Sequence, residues 1–144
     1  MTFHRRSPSG VLEAERVPLT EIAAAVGTPC FVYSRAAVES SMRLFLAASK
    51  GRDALVCYAM KANSNLAILD LFARLGAGFD IVSGGELARA LAAGADPGKI
   101  VFSGVGKSTG DIARALDVGI RCFNVESASE LKRLERIAAE KGRK

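Results

Sequence analysis

Two lysines and one aspartate stand where this sequence could do chemistry. Lys61 closes the apolar run Ala54–Met60 in VCYAMKANSN. A short apolar strand delivers the residue after it to the strand's C-terminal end, where ligands bind in parallel α/β folds. In a hydrophobic surround a lysine loses preference for its charged form, and the neutral amine attacks carbonyl carbon. A lysine that merely caps or snorkels at a strand end fits the same residues. Lys107 lies in VFSGVGKST, Val101–Thr109, whose Gly106-Lys107-Ser108 matches the second half of G-x-x-x-x-G-K-[ST]. The first glycine of that pattern falls on Val101, inside an apolar run. A phosphate cradle needs a longer glycine-rich loop, so the stretch reads as a short strand-to-helix loop before a capping Ser108. Asp80 sits in the apolar FDIVS, where a carboxylate needs a partner. A solvated turn aspartate after Gly78 is the alternative.

These residues must be positioned by the elements around them. From Ala54 onward, strand and helix signals alternate regularly. The runs Ala54–Met60, Phe79–Ser83, Lys99–Ser103 and Arg121–Val125 read as strands. The helical stretches between and after them are Ser64–Gly76, Gly85–Gly94, Ser108–Gly119 and Ser127–Gly142. Leu66, Leu69 and Phe72 repeat at helical spacing, as do Leu131, Leu134 and Ile137. Ser108 with Asp111, and Ser127 with Glu130, are capping patterns, and glycines close the helices. Glu86 falls in a first helical turn, where a carboxylate complements the macrodipole. Asn63 fits a helix cap as well as a site residue.

The strands are continuous apolar runs, as expected of parallel strands buried on both faces. Four βα units follow, and both an open doubly wound sheet and a (β/α)8 barrel accommodate them. Even spacing and short loops favour the barrel. Ahead of them, Pro18–Gly27 reads as a short helix capped by Thr20, and Thr28–Ser34 as a strand. Arg35–Ser49 reads as an amphipathic helix with Val38, Met42 and Phe45 on one face.

Composition narrows the function class. The 144 residues are 49% hydrophobic and 24% charged, as in a folded domain. The net charge of +5 does not point to nucleic acid, because the basic residues are scattered and not interleaved with aromatics. No apolar run approaches the roughly 20 residues of a membrane span. MTFHRRSPSG has no apolar segment behind its charges, so the expected location is cytoplasmic. Cys30, Cys57 and Cys122 read as small buried thiols in a reducing compartment, not as a disulfide or metal set. His4, the one histidine, cannot anchor a metal cluster and lies in a segment expected to be mobile.

The stretch YAMKANSNLAILDLFARLGAGFDIVSGGEL resembles the fold type III decarboxylases of basic amino acids, which use pyridoxal 5'-phosphate (PLP) on an alanine-racemase-like barrel. Tyr58-Ala59-Met60-Lys61-Ala62-Asn63 is similar to the family's PLP-lysine motif. The branch most resembled is that of the diaminopimelate decarboxylases. Phe79–Leu87, Phe102–Lys107, Asn124–Ser127 and Glu130-Leu131 match that branch, and the resemblance runs from about Thr28 to the end of the chain. It implies that Lys61 holds PLP covalently and carries a proton once freed, and that Asp80 lies near the lysine and the cofactor. The reaction implied is loss of the α-carboxylate of meso-diaminopimelate as carbon dioxide, leaving L-lysine. Ornithine or arginine decarboxylation on the same fold, and a non-catalytic PLP-carrying barrel, are the alternatives.

The resemblance also implies an organisation. Residues 1–34 belong with a second, β domain of the full-length proteins, and residues 35–144 form the first half of the PLP-binding barrel. A closed barrel takes eight units and about 250 residues, so the chain reads as the front part of a longer homodimeric protein. Several family parts are missing from it: the histidine that stacks on PLP, the late glycine-rich phosphate loop, the carboxylate that pairs with the pyridine nitrogen, and the substrate-gripping groups. None of the three cysteines matches the one that the family's partner subunit supplies. The 144 residues alone are therefore expected to be inactive, with exposed strand edges.

Overall fold

The computed structural model describes residues 4–6, 8 and 10–143. The chain divides into two compact units, Met1–Leu44 and Phe45–Lys144. In the first, strands β1 (His4–Arg6), β2 (Leu12–Ala14) and β3 (Val17–Pro18) form an antiparallel sheet in that order. The backbone at His4 is therefore in a paired strand and not in a loose tail. Helix α1 (Leu19–Val26) starts after Pro18, with no side-chain cap, so Thr20 lies inside the helix. Proline suits a helix entrance because the N–H it lacks has no partner there.

The stretch Thr28–Ser34, expected as a strand, joins no sheet, and Phe31 is 90% exposed. A strand exists only where a neighbour takes its N–H and C=O groups, and no described strand lies against this one. Helix α2 (Arg35–Ala48) matches its expected span. Ser34 caps it by accepting from the Ala37 N–H at 3.0 Å, while Glu15 Oε1 accepts from Ser34 Oγ and from the Ala36 N–H. These hydrogen bonds hold the Glu15 carboxyl below its ordinary value, the one from Ser34 most of all. On the face expected to be apolar, Met42 is buried but Phe45 is exposed.

The second unit carries strands β4 (Cys57–Ala59), β5 (Gly78–Ile81), β6 (Ile100–Phe102) and β7 (Cys122–Phe123). They pair in parallel in chain order, β4-β5-β6-β7. Helices α3 (Leu66–Arg74), α4 (Gly84–Ala92), α5 (Thr109–Val118) and α6 (Ala128–Glu140) follow one strand each, and each packs on the next. An unbroken chain order is that of a barrel wall, since a doubly wound sheet reverses order at its switch point.

Within this segment the strands bury one face beneath their helices. Cross-strand register places Tyr58, Phe79, Ile100 in one row and Ile81, Phe102, Phe123 in the next. Phe79, Ile81, Ile100 and Phe102 are 0% exposed, and Tyr58 packs its ring 4.4 Å from that of Phe72 in α3. The opposite face carries Cys57, Ala59, Asp80, Val101 and Cys122, all half-buried or exposed. Short apolar runs signal a strand, but alternation along it decides the face. Within this segment Cys57 is half-buried, Cys30 and Cys122 are exposed, and all three are free.

Gly78 marks the tightest approach in the sheet. A Cβ there would lie 2.5 Å from the Lys99 carbonyl oxygen and 2.8 Å from Cys57 Sγ. The backbone oxygen cannot swing away, so Gly78→Ala should destabilise the fold by about 1–3 kcal/mol. The measurement is the urea midpoint of the variant against the parent. An unchanged midpoint would show that the neighbouring strand gives way freely.

Candidate active site

The C-terminal ends of β4 to β7 carry the chemistry-bearing residues. Beyond β4 the chain tightens into a 3-10 turn, Met60–Ala62. Met60 is fully buried beneath it, and Lys61 is exposed. No described residue bonds or pairs with the Lys61 ammonium. The turn is nonetheless fixed in place. Tyr58 Oη donates to the Asn63 carbonyl at 3.1 Å, and Arg89 Nε donates to the Ser64 carbonyl at 2.8 Å. Asn63 Oδ1 accepts from the Asn65 N–H, and Asn65, not Asn63, caps α3 by accepting from the Ala67 N–H.

Asp80 is paired across the sheet with Ala59 on one side and Val101 on the other. It thus shares a face with the residue two positions before Lys61, at the same end of the sheet. Its carboxylate has the partner that a strand position demands. Ser103 Oγ donates to Asp80 Oδ1 at 2.5 Å, and Asn124 Nδ2 donates to Ser103 Oγ at 3.0 Å. Asp80 is therefore not a solvated turn residue. No hydrogen bond or ion pair joins it to Lys61 among the described residues. On the same face, burial pushes the Cys57 thiol up and the charge of Asp80 adds to this. Cys57 is thereby kept protonated and poorly nucleophilic near neutral pH.

The glycine-lysine stretch after β6 does something the sequence reading missed. Lys107 is 2% exposed. Its Nζ donates to the Gly104 carbonyl at 2.6 Å and to the Asn124 carbonyl at 2.8 Å, and lies 2.6 Å from Glu130 Oε1. Three acceptors occupy the three protons of an ammonium, so none is left for a phosphate. The stretch is a buried clamp and not a nucleotide loop. Gly104 serves it by adopting φ 86°, which an L side chain rarely takes, and by leaving room beside Val82. The caps expected at Ser108 and Ser127 are present: Ser108 and Asp111 form a reciprocal box, and Ser127 accepts from the Glu130 N–H, while Ser83 caps α4 without having been singled out. Glu86 Oε2 accepts from the Val82 N–H, which makes it a capping residue. In α6 the buried positions are Glu130 and Ile137, while Leu131 is exposed.

The arrangement fits a carbonyl cofactor attached through an amine. An exposed ammonium with no described partner follows a pinned turn at the end of β4, and Asp80, held by Ser103, lies in the neighbouring strand β5.

Comparison with known proteins gives the family. The family model described as pyridoxal-dependent decarboxylase, pyridoxal binding domain, matches residues 35–143. The diaminopimelate decarboxylase of Pseudomonas aeruginosa is 61% identical over 91% of this chain and 32% of its own length. That of Vibrio cholerae is 53% identical over 99% of this chain and 34% of its own length. The crystal structure of Helicobacter pylori diaminopimelate decarboxylase complexed with L-lysine superposes with a TM-score of 0.82 at 48% identity. It covers 86% of this chain and 32% of the solved one. The chain thus spans about a third of the length of the relatives it matches. It belongs to the pyridoxal-dependent decarboxylases and carries sequence of their pyridoxal-binding domain.

Proposed function

We propose that this chain is the Lys61-bearing part of a diaminopimelate decarboxylase, a PLP-dependent carboxy-lyase that makes L-lysine. What supports the reading is an exposed Lys61 at the end of β4, with Asp80 held by Ser103 in the adjacent strand, within a sequence 61% identical over 91% of this chain to a protein of that name. Lys61 holds the cofactor through Nζ. When not bonded to the cofactor, that nitrogen would be able to carry a proton to or from a reacting carbon. Asp80 supplies a fixed negative charge beside the cofactor. Bound PLP contributes an electron sink for the pair left when the α-carboxylate departs as carbon dioxide.

Residues 1–34 are assigned to a second, β domain of the full-length enzyme, and residues 35–144 to the first half of its barrel. The substrate is a small amino acid, and the full-length enzyme is a homodimer. Free thiols at Cys30, Cys57 and Cys122 suit a reducing, cytoplasmic compartment. No described helix is long and apolar enough to cross a membrane.

The test is carbon dioxide release by the full-length enzyme, loaded with PLP, from meso-diaminopimelate, L-ornithine and L-arginine. Release from diaminopimelate with a far larger kcat/KM than from the other two is expected. A preference for ornithine or arginine would move the chain to another branch. PLP binding without release from any of the three would make it a non-catalytic carrier.

A further inference from the structure

We infer that Ser103 and Asn124 are positioning residues that act through Asp80, forming a hydrogen-bond relay across the ends of three neighbouring strands. The inference rests on the site reading given above. Ser103 follows β6 and Asn124 follows β7, so the relay Asn124 Nδ2 to Ser103 Oγ to Asp80 Oδ1 crosses from β7 through β6 to β5. Its direction is unambiguous at both ends. An ionised carboxylate only accepts and an amide nitrogen only donates, so the Ser103 hydroxyl must accept from Asn124 and donate to Asp80. A hydroxyl polarised by one donor is a stronger donor to the next group. The Ser103–Asp80 contact, at 2.5 Å, has the length of a charge-assisted bond.

The relay fixes one oxygen of Asp80 and leaves the other, which accepts no hydrogen bond from the described residues. The carboxylate is thereby held through Oδ1 before anything binds, in a strand position paired with Ala59.

The backbone under the relay is itself pinned. The Ser103 N–H donates to the Ile81 carbonyl and the Asn124 N–H to the Phe102 carbonyl, continuing the sheet one step past its strands. Buried Lys107 then ties the Gly104 and Asn124 carbonyls together, next door to both relay side chains. The backbone at the two groups that orient Asp80 is thus held by a clamp centred on buried Lys107.

The experiment compares Ser103→Ala, Ser103→Thr, Asn124→Ala and Asp80→Asn, with the double variant Ser103→Ala/Asp80→Asn, in the PLP-loaded full-length enzyme. Three readouts are taken: kcat/KM for diaminopimelate, the visible absorbance of bound PLP, and PLP retained after dialysis. A hydrogen bond to a charged group implies a loss of roughly 10- to 100-fold in kcat/KM for Ser103→Ala, with altered absorbance or retention. Asn124→Ala should move the same readouts less. Ser103→Thr keeps the hydroxyl and should stay within about threefold of the parent. Once Asp80 is Asn, removing the Ser103 hydroxyl should cost less than about twofold more.

Equal losses from Ser103→Ala in both backgrounds would overturn the relay, because Ser103 would then act independently of Asp80. So would a Ser103→Ala enzyme unchanged in all three readouts while Asp80→Asn is impaired. An unimpaired Asp80→Asn enzyme would overturn the site reading of Asp80 itself, and the relay with it. If Ser103→Ala does not fold, Asn124→Ala in the two Asp80 backgrounds makes the same comparison.

Discussion

Replacing Lys61 by Ala should abolish covalent capture of PLP and reduce decarboxylation to background. The chain offers one amine in the right place for this role. Lys61 is exposed at the end of β4 and has no described partner, so nothing in this segment competes for its nitrogen. Lys107, the other lysine that the sequence singles out, is 2% exposed and spends its ammonium on Gly104, Asn124 and Glu130. The measurement is borohydride reduction of the PLP-loaded enzyme, then intact and peptide mass spectrometry. The parent should gain one reduced pyridoxyl group on the peptide containing Lys61, and Lys61→Ala should gain none. Lys61→Arg should fail equally, because a guanidinium stays protonated and cannot attack a carbonyl. With parent and variants both free of PLP, the Lys61 variants should keep the parent's urea midpoint, since no described residue bonds to the side chain. An adduct on any other lysine would sink the assignment.

Glu130→Ala should produce the largest loss of stability, about 3–5 kcal/mol, because it strands a buried ammonium. The Lys107 and Glu130 side chains are 1% and 5% exposed and meet at 2.6 Å. Every polar atom of the pair is occupied, since Glu130 Oε2 also accepts from the Glu126 N–H at 3.0 Å. Lys107→Met should cost a similar amount by leaving the carboxylate without its counter-ion. Replacing both residues by apolar ones should cost less than either single change, because no charge is then left alone. Urea unfolding with unchanged m-values checks all three.

The pair also sets a pH dependence. Burial pushes the Glu130 carboxyl up, but the hydrogen bonds from Lys107 and the Glu126 N–H, with the charges of Lys107 and Arg133, outweigh it and hold the carboxyl below its ordinary value. A carboxyl depressed in the folded state contributes stability above its unfolded value. That contribution fades as pH falls through the folded value. Glu130→Gln should therefore flatten the acid limb of the stability curve below the ordinary carboxylate range. A parallel acid limb in parent and variant would show that Glu130 does not titrate with unfolding.

Much of this protein is legible in its sequence because the signals are local. A cap needs only a serine and the residue three positions on, so the Ser108–Asp111 and Ser127–Glu130 patterns predict where α5 and α6 begin. An apolar run followed by a glycine-stopped amphipathic stretch is also a local signal, and four repeats of it specify four βα units. The place of Lys61 at a strand end follows from the same pattern, and its chemistry from the resemblance of the residues around it.

What the tertiary structure alone decided involves partners distant in the chain. The reading of Thr28–Ser34 as a strand fails because a strand needs a neighbour, which its own residues cannot announce. The face on which Cys57, Asp80 and Cys122 lie depends on alternation and register across the sheet, which an apolar run by itself does not specify. Lys107 reads as half a phosphate loop until folding brings Glu130 and the Asn124 carbonyl against it. Likewise, only the packing of β5, β6 and β7 side by side turns an aspartate, a serine and an asparagine far apart in sequence into one relay. Local chemistry is written residue by residue, but the partners of a buried charge are chosen by which loops the sheet sets next to one another.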